Sequence, residues 1–288
     1  MTIAMPTDRR SGRRTLCALG CALGCALTFG LTWAPTGMAA APTIVDCTRD
    51  AGALTTAVSR SSSGDTLIVK GSCSGSVAVQ HDLTLVGQGD ASIAALVVGP
   101  GPVTAVLTHF TITNSAPNTT GVGIQNSGNL TLIDSLVTGN KLGIFNDDSA
   151  TLTLIRSRVW NNSNVIGDVQ SFMGPVFAVG GIYNSGVLSL IVSSVRGNSA
   201  SIGGRFNQAV GGILSINAPI DVEPRGPISV TLIASDVTGN TATTTGIDDG
   251  AVGGIERAWP NSTMTLLGSK VANNSPGNCS GFTDPACN

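Results

Sequence analysis

Two pairs of neighbouring carboxylates, Asp147–Asp148 and Asp248–Asp249, are the residues of this 288-residue chain best suited to chemistry. Adjacent carboxyl groups can divide the acid and base roles of sugar-bond hydrolysis, or share a hard cation such as calcium. Arg156 and Arg158 stand on either side of Ser157, shortly after the first pair. A basic group beside a calcium-bound carboxylate can take the proton alpha to a carboxyl group. A second kind of site is offered by Phe172, Phe177, Arg205, Phe206 and Trp259, whose ring faces and cations suit sugar stacking or a protein partner. The competing reading of the charged residues is structural. Asp147–Asp148 lies between Asn146 and Ser149, and Asp248–Asp249 between Ile247 and Gly250, settings that favour polar turns. Arginines at outward strand positions are ordinarily solvated and paired with a neighbouring coil.

What must position these residues is a repeat. Eleven residues recur without an insertion at Leu130–Asn140, Leu152–Asn162, Leu188–Asn198, Val230–Asn240 and Met264–Asn274. Each reads apolar, Thr or Ser, apolar, then Ser-x-Val-x-x-Asn. A unit that recurs in this way marks a solenoid, each copy being part of one coil stacked on the last. Period-two alternation turns Leu130 and Leu132 inward and Thr131 outward. The chain then bends at Ser135, Ser157, Ser193, Ser235 or Ser269, sends Val137 or its equivalent inward, and closes on Asn140, Asn162, Asn198, Asn240 or Asn274. Asn tolerates left-handed backbone, and its amide can bond to the coils above and below, so a stacked Asn corner is expected. A second element completes the coil: Val122-Gly-Ile124, Leu142-Gly-Ile144, Val179-Gly-Gly-Ile182, Val210-Gly-Gly-Ile213 and Val252-Gly-Gly-Ile255.

The first two copies begin 22 residues apart, about what one three-sided turn requires, whereas the later intervals are 36, 42 and 34 residues. The excess falls after Asn162, Asn198 and Asn240, in segments that carry Phe172, Phe177, Arg205, Phe206 and Asp248–Asp249. These insertions are expected to project as loops from one edge, stacked coil over coil.

The N-terminus is a different object. Arg9, Arg10, Arg13 and Arg14, an apolar stretch to Trp33 and the small residues around Ala39 and Ala40 read as a secretory signal peptide over residues 1–40, with Sec and twin-arginine export both open. Cleavage leaves a single domain over 41–288 with 11 basic and 16 acidic residues. Without a basic patch, nucleic acid is excluded as a partner, and no membrane span remains. Four of the seven cysteines stay, which in an exported chain implies disulfides. Three connectivities are open; Cys47 with Cys73 and Cys279 with Cys287 would place one bridge at each end. The metal reading lacks Cys-x-x-Cys spacing, and His81 and His109 are remote from Cys279 and Cys287, so zinc is not expected. Residues 47–60 read as a cap holding a short helix, with Asp50 as its N-cap and Leu54 and Val58 on one face. The tail over about 275–288 serves the other end.

The cap, the Ser63-Gly-Asp-Thr turn, the Gly180-Gly-Ile-Tyr-Asn-Ser-Gly element and the Leu-Thr-Leu-x-x-Ser-x-Val-x-Gly-Asn copies together resemble bacterial secreted right-handed parallel β-helix repeat proteins. Those are similar in fold to pectate lyases and to the repeats of polymorphic outer-membrane proteins and autotransporter passengers. The resemblance covers about Cys47 to Cys279 and implies an all-β fold: a right-handed parallel β-helix, or β-solenoid, of about eight coils with a short N-terminal capping helix. It is specific for fold and not for activity. Inverting hydrolases of that fold combine clustered aspartates with Gly-His-Gly and Arg-x-Lys motifs, and neither motif occurs here. The expected role is therefore a non-catalytic surface or binding one at the cell envelope or outside the cell, adhesin-like or carbohydrate-binding. Its partner would be a polysaccharide or a cell-surface protein, and it would need no cofactor. The alternative is a polysaccharide lyase or glycoside hydrolase acting on acidic polysaccharide, with calcium as the cofactor.

Overall fold

In the computed structural model the repeat copies stack rung on rung, in the register that their own alignment requires. Leu130 pairs in parallel with Leu152, Leu152 with Leu188, Leu188 with Val230 and Val230 with Met264. The structure describes residues 41–113, 121–170, 175–216, 226–258 and 262–287; the proposed signal peptide, Phe172 and Trp259 lie outside the described residues.

The fold is the expected right-handed parallel β-helix, with three faces. Two long strands, Asp65–Val79 and Leu83–Val98, contribute to all of them. The first face continues through Thr104–Thr108, Asn129–Ile133, Thr151–Ile155, Val187–Ile191, Ser229–Ile233 and Thr263–Leu267. The second continues through Thr111–Ile112, Leu136–Thr138, Arg158–Trp160, Ser194–Arg196, Asp236–Thr238 and Lys270–Ala272. The third holds Val122–Asn126, Leu142–Asn146, Ile182–Asn184, Ile213–Ser215, Ile255–Arg257 and Cys279–Ser280. Counting the long strands, each face has eight of these rungs, and Thr43–Asp46 adds one more at the start of the first face.

Inward residues fill the bore. Leu132, Leu154, Leu190 and Leu232, with Val137, Val159, Val195 and Val237, are completely buried. Each such side chain contributes about 1.5–3 kcal/mol relative to exposure. The corners are crowded: a Cβ on Gly181 would stand 2.2 Å from the carbonyl oxygen of Gly212, and one on Gly212 would stand 2.3 Å from that of Gly254, so only glycine lets these coils approach.

Buried polar side chains stack as continuously as the leucines. Asn162 Oδ1 accepts the N–H of Asn140 at 3.0 Å and its Nδ2 at 2.9 Å, and the same pair of bonds repeats from Asn162 to Asn198, Asn198 to Asn240 and Asn240 to Asn274. The tail residue Asn278 closes the series by accepting from Asn274. Ser135, Ser157, Ser193, Ser235 and Ser269 form a second ladder, in which the hydroxyl of Ser135 accepts the Phe110 N–H and each later hydroxyl accepts the N–H of the serine one coil earlier. The left-handed backbone expected of the corner asparagines falls instead one residue earlier, on Gly139, Asn161, Gly197, Gly239 and Asn273. This leaves each ladder Asn free to point into the wall and bond along the stack.

The helix Ala53–Arg60 covers the first coil with Leu54 and Val58. Its N-cap is Gly52 and not Asp50, whose carboxylate accepts the Gly52 N–H and so orders the turn before the helix. Disulfides join Cys47 to Cys73 and Cys279 to Cys287, one near each end. At the second end Phe282 packs against the core.

The insertions after Asn162, Asn198 and Asn240 do project together, but as sheets and not as loops. Ser163–Gln170, Ser199–Arg205 and Thr241–Thr244 form one three-stranded parallel sheet, and Phe177–Val179, Gln208–Val210 and Gly250–Val252 another. Unequal lengths are absorbed by an irregularity between Ile166 and Asp168. Ala178, Ala200, Ile202, Ala209 and Ala242 make a small core between them, forming a side lobe on the solenoid.

Candidate binding surfaces

Between the first and second faces, His109, Asp134, Arg156, Val192 and Ala234 occupy one left-handed position on successive coils, with φ between 47° and 60°. Strain of this kind costs about 1–3 kcal/mol at a residue such as Val192 and persists only where neighbours dictate it. Here the N–H of each bonds the coil below, as from Val192 to the Ile233 carbonyl at 2.9 Å, and the next residue is a ladder serine or, after His109, Phe110. The geometry turns these five side chains outward along a shallow groove of about 1040 Å³, which Asp90, Arg158 and Asp236 also line.

Arg156 therefore sits in the bend and not on a strand position, and its partner is Asp134. The guanidinium donates through Nε and through Nη2, both at 2.7 Å, to the two carboxylate oxygens. That bond holds the Asp134 carboxyl below its ordinary range and the Arg156 guanidinium above its own. His109 Nε2 lies 3.7 Å from Asp134 on the other side. A guanidinium held by a carboxylate in this way is a poor proton acceptor, so the arrangement suits ion pairing better than proton abstraction. Arg158, one residue past Ser157, is exposed on its strand.

Asp147 and Asp148 do not join this cluster. They occupy the far end of the strand Thr151–Ile155, around a small cavity of about 500 Å³ that also borders Pro100, Gly101, Ser127 and Ser149. Asp147 accepts the Ser127 hydroxyl at 3.1 Å and the Asp148 N–H at 2.9 Å, the polar-turn arrangement. Asp248 and Asp249 close the last turn of the side lobe. Asp248 is exposed at φ 60°, and Asp249 accepts the Asn207 N–H at 2.7 Å. Among the described residues no three of His, Cys, Asp and Glu converge as a metal cluster.

The lobe tip is the other surface. Arg205 Cζ lies 4.7 Å from the centre of the Phe206 ring, a cation–π contact, and Phe206 is 51% exposed. Ile247, which pairs with Arg205, is 70% exposed, and Val165 of the first lobe strand is 71% exposed. Phe177 is instead half-buried against Val179, Val210 and Leu214, where the lobe meets the third face.

That junction holds a residue the sequence reading passed over. Phe145, Tyr183, Leu214 and Glu256 occupy one column on successive coils. Phe145 and Tyr183 stack with ring centres 4.9 Å apart, and burial raises the Tyr183 hydroxyl pKa above its ordinary value. Glu256 is 5% exposed, and burial pushes its carboxyl up to about 7, against a hydrogen bond from Gln208 Nε2 to Oε1 that acts in the opposite sense. Its Oε2 is buried without a hydrogen-bond partner. The signal was present in the sequence: a carboxylate at the position that Phe145, Tyr183 and Leu214 fill on the three preceding coils. Comparison with protein-family models, with curated proteins and with solved structures gives no match.

Proposed function

We propose that this chain is an exported, non-catalytic binding protein, in which the β-helix is the scaffold and the side lobe the recognition element. The partner class is polysaccharide, received on the tip formed by Arg205, Phe206 and Ile247. One observation carries this reading: three insertions of unequal length close into in-register sheets with their own buried core, and that rigid platform ends in an exposed ring under a guanidinium. Sites of this kind bind sugars by ring stacking with a polar or charged group beside the ring. The two disulfides fit an oxidising compartment, and among the described residues no helix is long and apolar enough to cross a membrane.

Affinity electrophoresis through pectin, alginate and neutral polymers tests the proposal. The expected result is retardation by at least one polymer, lost in Phe206→Ala, with no depolymerisation whether or not calcium is added. Retardation by none, with capture of a cell-surface protein abolished by the same variant, would move the partner to the protein class. A second reading, a lyase or hydrolase working on acidic polysaccharide, is favoured by the charged groove around Asp134 and Arg156. Polymer cleavage that disappears in Arg156→Ala would establish it in place of the first.

A further inference from the structure

The alternation that turns Leu130 and Leu132 into the bore also turns Ile133 out of the first face. Ile133, Ile155, Ile191, Ile233 and Leu267 pair in register and form an outward column. The column continues up the stack through Thr108 and Val86 to Ile68 and Ile44, so every rung of the face contributes one member. Ile44, Ile233 and Leu267 are exposed, and the other aliphatic members are half-buried against their neighbours in the stack.

Beside this column stand the hydroxyls of Thr131, Thr153, Ser189, Thr231 and Thr265. On the rungs from Thr104–Thr108 to Thr263–Leu267, no outward position holds a charged or an aromatic residue. The second face, by contrast, exposes Arg158, Arg196, Asp236 and Lys270. The absence of charge therefore belongs to this face and not to the composition of the chain. Those six rungs pair residue for residue with no register shift, which keeps the columns straight. With strands about 4.8 Å apart and five residues long, the nine rungs make a face of about 38 Å by about 16 Å, or about 600 Å². An uncharged patch of that size bearing an aliphatic stripe marks an interaction site.

We propose that the first face docks on the same face of a second copy of this chain. Two such faces together bury about 1,200 Å², which reaches the lower end of specific interfaces. The pattern is self-complementary: a two-fold axis along the strands sets the aliphatic column of one copy against that of the other. A second copy also presents its rungs at the same spacing, so the contacts stay in step over the whole length of the face. A sugar polymer fits this face less well, since no ring stands on these rungs to stack against it. The side lobe branches from the chain between the second and third faces, at the corner opposite the first. Docking through the first face therefore leaves both lobes clear.

Sedimentation velocity on the purified protein is expected to show a dimer with a dissociation constant of about 1–10 μM, the weak end of specific association. Ile155→Lys/Ile191→Lys places two charges in the column and should leave the protein monomeric at about 100 μM. Ile155→Thr/Ile191→Thr keeps the β-branched shape that the strands favour and adds no charge, so it folds as the wild type does. It should weaken the dimer by about tenfold or more. Val165→Lys, on the first lobe strand, should leave the dimer unchanged. A wild type that is monomeric at about 100 μM overturns the proposal, whether its polymer binding then depends on this face or on the lobe. So does a dimer that Ile155→Thr/Ile191→Thr leaves at the wild-type constant, or one that Val165→Lys dissolves.

Discussion

Asn198 in the solenoid wall and Asn207 in the side lobe both stack a buried amide on the coil that follows, but their ladders differ in what lies beneath them. Asn198 stands midway in a series of six asparagines that the tail itself completes at Asn278. Asn207 stands above a single Asp249, with a buried oxygen left over. The cores differ in the same sense. The bore is lined by Leu, Ile and Val, whereas the lobe packs mainly alanine around Ile202. Less apolar area is buried per rung in the lobe, so its opening free energy is the lower of the two. The asparagine ladder of the wall is closed by the tail, and the lobe ladder ends with one oxygen left over.

Replacing the amides one at a time separates the two regions by the largest effect. In Asn198→Ala, the N–H of Asn162 and the carbonyl of Val159 lose the Asn198 amide inside the wall, whereas the side chain of Asn162 keeps its bond to Val137 and that of Asn240 still accepts the N–H of residue 198. At about 1–3 kcal/mol for each buried group left unsatisfied, a loss of about 2–4 kcal/mol is expected in chemical denaturation. Asn207→Ala should cost less and should loosen the lobe alone, seen as faster amide exchange at Gln208 and Gly250 with the bore unaffected.

Glu256 lies at the junction of the two regions. Its folded-state pKa of about 7 lies above the ordinary 4.5, so the neutral form is the one the fold prefers. Below pH 4.5 the group adds no pH dependence. As pH rises from there through 7, ionisation removes stability, by about 3 kcal/mol once it is complete. Glu256→Gln should flatten the decline and be more stable than wild type by about that amount at pH 8, with little difference at pH 4. The smallest effect is expected at the groove. Arg156→Ala removes an exposed pair and should move the melting temperature by about 1 °C or less.

How much of this the sequence displays follows from which residues repeat. The bore and both wall ladders are legible because one residue type returns at one position in every copy; the alignment of Leu130, Leu152, Leu188, Val230 and Met264 is itself the hydrogen-bond register. The lobe is legible only as excess length. Ser163–Gln170 has no clean alternation and becomes a strand because Ser199–Arg205 stacks against it. The pairing of Arg156 with Asp134 requires knowing that the left-handed residue precedes the serine, which turns both side chains to the same groove. Asp50 stands two residues ahead of the N-cap, and its carboxylate is taken up by the Gly52 N–H before it can cap the helix.

Under the proposed function, recognition resides in the lobe and the repeat is structural. Its most direct test compares binding constants of three proteins on whichever polymer retards the wild type: wild type, Arg205→Ala/Phe206→Ala and Arg156→Ala. The lobe variant is expected to bind at least tenfold more weakly, equivalent to about 1.4 kcal/mol or more, with the groove variant within about twofold of wild type. A groove variant that loses binding while the lobe variant retains it would contradict the claim and place recognition on the wall.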